Sequence, residues 1–108
     1  LNRNDELSKF SNFDKLTIST TLAAGTITQD GAWSLPTDVE LRSVNGSIKL
    51  TSSIEASTAG GQGLGLVSTG TGTIEIGDGT GVDETFGSTN ALAYVTASGV
   101  IKILSPTI

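Results

Sequence analysis

Three carboxylates in a glycine-rich stretch come nearest to a metal site in this sequence. Asp78, Asp83 and Glu84 are spread through segment 77–84. Carboxylate oxygens on a flexible loop are ligands that Ca²⁺ prefers. Tandem calcium-binding repeats complete each site with the neighbouring turn, however, and this motif occurs once. We therefore expect a solvated turn here and keep a calcium site as the alternative.

The remaining residue types leave little for catalysis. The chain has no His and no Cys, so a Ser-His-Asp triad, a thiol nucleophile and the usual zinc ligands are all excluded within it. The glycines of segment 60–63 lack the Lys-Ser/Thr of a phosphate-binding loop. No carboxylate pair stands out for glycoside cleavage, which would draw on Asp30, Asp38, Glu40, Glu75, Asp83 or Glu84. We expect no enzyme activity and no cofactor.

Trp33 is the only tryptophan, and it follows an Asp30-Gly31 turn signal. An exposed indole can stack on a sugar, which would make Trp33 a surface contact. A buried one fills the core or a subunit interface, and this second role is the one we expect.

A repeat positions these residues. Each copy is a short alternating strand, a Ser/Thr–Gly corner and a second alternating strand, and the corner glycines stand roughly 26 residues apart. A degenerate first copy contains Gly25 and Ile27. The three clear copies run from Val39 through Ser43 and Gly46 to Leu50, from Leu64 through Ser68 and Gly72 to Ile76, and from Leu92 through Thr96 and Gly99 to Ile103.

The second strands of the copies align by charge and by apolar character. Lys49, Glu75 and Lys102 all occupy the middle, outward position, and the preceding inward position is an isoleucine in each copy: Ile48, Ile74 and Ile101. Parallel strands lie about 4.8 Å apart, so stacked copies would place opposite charges side by side. The alignment predicts a structural ladder of these six residues.

Composition and charge narrow the function classes. The net charge is −5 and the pI about 4.3, with no basic stripe, so we expect no nucleic-acid partner. No apolar run approaches the ~20 residues of a membrane-spanning helix, so we expect no membrane insertion. The start at Leu1 resembles a fragment or a processed product.

Two segments are predicted. Residues 1–14 form an N-terminal cap or linker, in which Leu7, Phe10 and Phe13 fit either a short helix beginning near Asn4 or an extended segment. Residues 15–108 form the β-repeat domain.

The fold class is all-β, and two stacked architectures satisfy the repeat: a single-chain parallel β-solenoid, or a trimeric β-fibre whose chains share a core. Oligomerisation would supply burial that a chain of 108 residues finds hard to reach alone. A β-sandwich is the alternative, because turn signals recur often enough.

Two families of surface fibres resemble these copies. Segment 91–103 is similar to parts of phage tail-fibre proteins that adjoin a trimeric shaft. Segments 46–50 and 72–76 resemble the repeats of haemagglutinin-like secreted adhesins, whose coils form a β-helix. The first resemblance implies a homotrimer, the second a monomeric piece of a very long chain, and neither supplies a functional residue.

These observations favour a non-enzymatic structural module of an extracellular fibre. We expect a virion fibre, of a phage tail or head, that presents loops to a host-surface glycan or protein for attachment. A segment of a bacterial adhesin or surface filament is the alternative.

Overall fold

The computed structural model describes residues 4–7, 9, 14–20, 25–77 and 85–103. A single helical turn, α1 (Asn4–Leu7), precedes the strands. In the described residues the strands are β1 (Lys15–Thr20), β2 (Ile27–Thr28), β3 (Trp33–Leu35), β4 (Asp38–Val44), β5 (Ile48–Leu50), β6 (Ile54–Ala56), β7 (Leu64–Thr69), β8 (Thr73–Ile76), β9 (Val95–Ser98) and β10 (Val100–Ile103).

These strands stack into a parallel β-solenoid of about three turns. Sheet 1 has the order β1-β4-β7-β9, sheet 2 the order β2-β5-β8-β10, and sheet 3 contains β3 and β6. Each of the first two coils gives one strand to each sheet, and Phe86 of the third coil bridges to Ile54 in parallel. The predicted stacked repeat is confirmed. The β-sandwich alternative is wrong, because sandwiches pair their strands antiparallel and these strands pair parallel.

The core consists of aliphatic columns that run from coil to coil. In sheet 2, Ile48 pairs with Ile74 and Ile74 with Ile101, as the repeat predicts. In sheet 1, Leu41 pairs with Leu66. Strand alternation turns every second residue inward, and identical spacing places the inward residues one above another. Each buried Leu or Ile stabilises the fold by about 1.5–3 kcal/mol.

The isoleucine column is buried unevenly. Ile48 and Ile74 are 0% exposed, whereas Ile101 is 46% exposed. Ile101 lies in the predicted register, but its strand β10 is an edge strand of sheet 2. The Ile101 side chain therefore occupies an inward position of the repeat without being buried.

Sheet 3 closes the solenoid and holds the tryptophan. Trp33 pairs with Ile54, and its side chain is only 2% exposed. Core packing is therefore confirmed, and the alternative of an exposed sugar-stacking surface at Trp33 is wrong. Leu7 of α1 is fully buried in the same cluster. Phe10 and Phe13 lie outside the described residues.

One buried polar side chain fixes the corner between sheets 2 and 3. Gln29 is almost fully buried; its Nε2 donates to the carbonyl of Ser53 at 3.1 Å, and its Oε1 accepts from the amide of Ser52 at 3.1 Å. The Thr51 hydroxyl in turn donates to the Gln29 carbonyl. These bonds give the buried Gln29 side chain its partners and join this corner to the same corner of the next coil.

The core forms within one chain. Leu35, Leu41, Leu50, Leu64 and Leu66 are buried by residues of the same chain. The solenoid is thus the stacked form seen here, and three chains need not share a core to produce it.

Candidate functional site

Glycines form the corner between sheets 1 and 2, and those of the first three coils stack on one another. Gly25, Gly46, Gly72 and Gly99 each stand two residues before the isoleucine column. A Cβ on Gly46 would overlap the carbonyl oxygen of Gly25, and a Cβ on Gly72 would overlap that of Gly46. Successive coils touch here through their backbones, so only glycine fits at Gly46 and Gly72. This backbone contact explains why the sequence repeats a glycine at this spacing.

Two buried serines complete the corner. Ser43 Oγ donates to the carbonyl oxygen of Gly25 at 2.8 Å, and Ser68 Oγ donates to that of Gly46 at 3.3 Å. The two serines are register partners on β4 and β7, and each bond reaches back to the preceding coil. The hydroxyls therefore link coils where no side chain could fit at the glycines.

The last copy of the repeat departs from this arrangement. Thr96 was expected at the corner, but it pairs with Gly65 on the outer face of sheet 1. A single residue, Gly99, separates β9 from β10, whereas three residues separate β7 from β8. The sequence alignment of Thr96 with the corner serines is therefore wrong, because this corner is shorter.

The three outward charges of sheet 2, Lys49, Glu75 and Lys102, lie in register as predicted, and we call them the charge column. Lys49 pairs with Glu75, and Glu75 with Lys102. Glu75 Oε2 accepts a hydrogen bond from Thr73 Oγ1 at 3.4 Å. Among the described residues, the ion pairs within 4.0 Å lie elsewhere, at Lys15–Glu40 and Arg42–Glu40. The column therefore alternates in sign along the stack without closing a direct ion pair.

Glu40 is the charged centre of the outer face of sheet 1. Its Oε2 accepts from Lys15 Nζ at 2.8 Å, and its Oε1 contacts Arg42 Nη1 at 2.6 Å. The hydrogen bond from Lys15, followed by that from Arg42, holds the pKa of the Glu40 carboxyl below its usual value. The same contact with Glu40 raises the pKa of Lys15. These exposed pairs order the surface more than they stabilise the fold.

Tyr94 covers a glycine beside the same face. A Cβ on Gly63 would overlap the ring of Tyr94, so the ring lies directly against the Gly63 backbone. The amide of Gly63 donates to Asp38 Oδ1 at 2.9 Å, which fixes that backbone from the neighbouring coil. Tyr94 is the partly exposed aromatic of this surface.

A groove of about 400 Å³ runs along sheet 3 and is lined by residues that include Ser34, Ser53, Glu55, Thr85 and Ser88. Glu55 Oε1 accepts from Ser88 Oγ and from the amide of Thr89, both at 2.9 Å. These bonds, the one from Ser88 first, hold the pKa of the Glu55 carboxyl below its usual value. Glu55 thereby fastens the 85–90 segment to sheet 3.

The proposed calcium ligands Asp78, Asp83 and Glu84 lie outside the described residues. In the part of the chain that the structure covers, no group of three His, Cys, Asp or Glu side chains is placed to hold a metal ion. Within the same part, no helix has the length and apolar character needed to cross a membrane.

The last coil presents an exposed edge, which we call the terminal edge and define as β9 and β10. All eight residues of the two strands are exposed, including Val95, Val100, Ile101 and Ile103. Within the described residues, β9 is the last strand of sheet 1 and β10 the last of sheet 2. The terminal edge therefore exposes apolar side chains that the repeat pattern predicts to be inward-facing, such as Ile101 and Ile103.

No protein-family model matches this chain, and neither a curated protein nor a solved structure matches it significantly.

Proposed function

We propose that this chain is a non-enzymatic structural module of an extracellular fibre. The observation that supports the proposal is the in-register stack, in which aliphatic columns, corner glycines and a charge column repeat from coil to coil. Stacked coils of this kind form an extended, stiff rod, because each coil contacts chiefly its neighbours. Its outer loops are then available for contacts.

A virion fibre, such as a phage tail or head fibre, is the assignment we favour. It rests on the resemblance of segment 91–103 to tail-fibre proteins. In this role the module would lie at the virion surface, act as a homotrimer and offer its loops to a host-surface glycan or protein. Trimerisation would join solenoids side by side, because each chain already has a core of its own.

A segment of a bacterial adhesin or surface filament is the second candidate. The observation that favours it is the core formed within one chain, since the resemblance to secreted adhesins implies a monomeric β-helix. In this role the module would lie at the bacterial cell surface and extend a longer fibre.

Light scattering distinguishes the two candidates. A particle mass of 11.0 kDa supports the adhesin or filament segment, whereas about three times this value supports the virion trimer. A thermal-shift screen of nucleotides and metal ions tests the structural role itself. A reproducible rise in melting temperature with a nucleotide would contradict that role. A lower melting temperature in the presence of a chelator would support the calcium site instead.

A further inference from the structure

We propose that the terminal edge is a docking site for a parallel β-coil whose strand carries an acidic residue between two apolar ones. The inference rests on the proposed structural role and adds to it the chemistry of the coil that follows in a fibre. Three observations carry it: the unfinished apolar columns, the sign of the charge column and the difference between the two ends of the solenoid.

The apolar columns stop while still exposed. Ile101 continues the column of Ile48 and Ile74, and Val95 continues that of Val39 and Leu64. The residues in the inner rungs are fully buried, whereas Ile101 and Val95 are nearly half exposed. A further parallel coil in the same register would bury both side chains and pair the outer backbone groups of β9 and β10.

The charge column selects the occupant. Glu75 lies between Lys49 and Lys102 in the register, so each acidic or basic rung meets the opposite sign. Lys102 is exposed and has an acidic neighbour on one side only. A docking strand with Glu or Asp at this position continues the alternation, and a strand with Lys or Arg places like charges side by side.

The opposite end of the solenoid does not offer an acidic residue at the position that would face Lys102. Its edge strand β2 pairs Thr28 with Lys49, so a second copy stacked head to tail would bring a threonine to Lys102. Leu16, Ile18 and Ile27 of the first coil are already partly buried and packed against the core. Charge complementarity therefore favours an acidic strand over a second copy of this chain.

The chain itself contains a strand of the required pattern. β8 places Glu75 between Ile74 and Ile76, and it already pairs with a strand on each of its two edges. A peptide of residues 62–77, which spans β7 and β8, is therefore a suitable probe. Stacked on the terminal edge, it would repeat the contacts that β7 and β8 make with β9 and β10 from the other side.

The experiment uses this peptide and the same peptide with Glu75→Lys, each titrated at up to millimolar concentration onto the whole protein. Hydrogen exchange of the β9 and β10 amides reports docking. We expect the Glu peptide to protect these amides and to bind about two- to five-fold more tightly than the Lys peptide. In the protein variant Lys102→Glu, which changes an exposed side chain, the preference should reverse.

Three outcomes would overturn the inference. They are no protection by either peptide, equal binding of both peptides, and a preference that Lys102→Glu does not change. Light scattering supplies one more: an oligomer that dissociates to 11.0 kDa on Ile101→Lys would show that another copy of the chain occupies the edge. None of these results depends on the nucleotide screen, so failure here is distinguishable from failure of the structural role.

Discussion

Replacing Gly46 with alanine tests the backbone contact at the corner between sheets 1 and 2. The new Cβ would occupy the position of the Gly25 carbonyl oxygen. Ser43 donates a hydrogen bond to that same oxygen at 2.8 Å. Because the obstacle is backbone, no side-chain rotation can relieve the overlap, and the two coils must move apart.

The expected cost follows from these two contacts. Overpacking a tightly packed site costs about 1–3 kcal/mol, and loss of the Ser43 hydrogen bond adds about 1 kcal/mol. We therefore expect Gly46→Ala to lower the free energy of unfolding by about 2–4 kcal/mol, out of the ~5–15 kcal/mol typical of a domain. With a urea m-value of about 2 kcal/mol/M, the middle of the range for small proteins, the unfolding midpoint should fall by about 1–2 M.

The assay is urea unfolding followed by the fluorescence of Trp33, whose buried indole becomes solvated on unfolding. Gly65→Ala is the matched control. Its Cβ would meet Thr96 Oγ1 at 3.4 Å and Glu40 Cγ at 3.6 Å, which are ordinary contacts. Since glycine inside a strand is about 0.5–1 kcal/mol less favourable than alanine, this control should be neutral or slightly stabilising. Equal midpoints for the two variants would refute the stacked-corner geometry.

Three further predictions concern burial, the ring contact and pH. Ile74→Ala should lower the free energy of unfolding by about 2–5 kcal/mol and Ile101→Ala by clearly less, because the second side chain is half exposed; equal losses in urea unfolding would contradict this. Gly63→Ala should destabilise the wild type but not a Tyr94→Ala background, and additive effects in this double-mutant cycle would contradict the ring contact. Glu55→Gln should unfold at lower urea than the wild type at neutral pH. The folded-state pKa of Glu55 is below its usual value of 4.5, so its stabilisation is lost as the pH falls through that lowered pKa; a difference that persists in acid would contradict the hydrogen-bonded carboxylate.

The register of sheet 2 could be predicted because its strands carry the same pattern at nearly the same spacing. An outward charge between two inward aliphatic residues determines which side chains face the core and which residues pair between neighbouring strands. Ile48, Ile74 and Ile101 pair as this pattern predicts. A one-residue slip would turn each of these side chains outward. The sequence therefore specifies this part of the fold strongly.

Sheet 3 was not predicted, because its strands are too short to show a period. β3 and β6 have three residues each, and the third coil contributes only the Phe86 bridge. The apolar–polar–apolar triplets at Trp33 and Ile54 were the available signal. The buried role of Gln29 had no signal at all, since it depends on a corner that folds back onto its side chain.

The exposure of the terminal edge could not be read from the sequence either. Ile74 and Ile101 are the same residue type in the same pattern, and only the order of strands in the sheet distinguishes an inner rung from an outer one. The contact of Tyr94 with Gly63 was hidden because the sequence alignment matched Tyr94 with Leu66. The structure instead pairs Val95 with Leu64, which sets Tyr94 beside Gly63.

Disulfide trapping along the charge column tests the stacked register most directly, because the chain has no cysteine of its own. Neighbouring parallel strands lie about 4.8 Å apart, within the ~4.4–6.8 Å between Cα atoms that a disulfide spans. The double variants Lys49→Cys with Glu75→Cys, and Glu75→Cys with Lys102→Cys, should each form an intramolecular disulfide on mild oxidation. Lys49→Cys with Lys102→Cys should not, since those residues lie two rungs apart. Trapping of this third pair, or failure of the first two, would contradict the in-register solenoid.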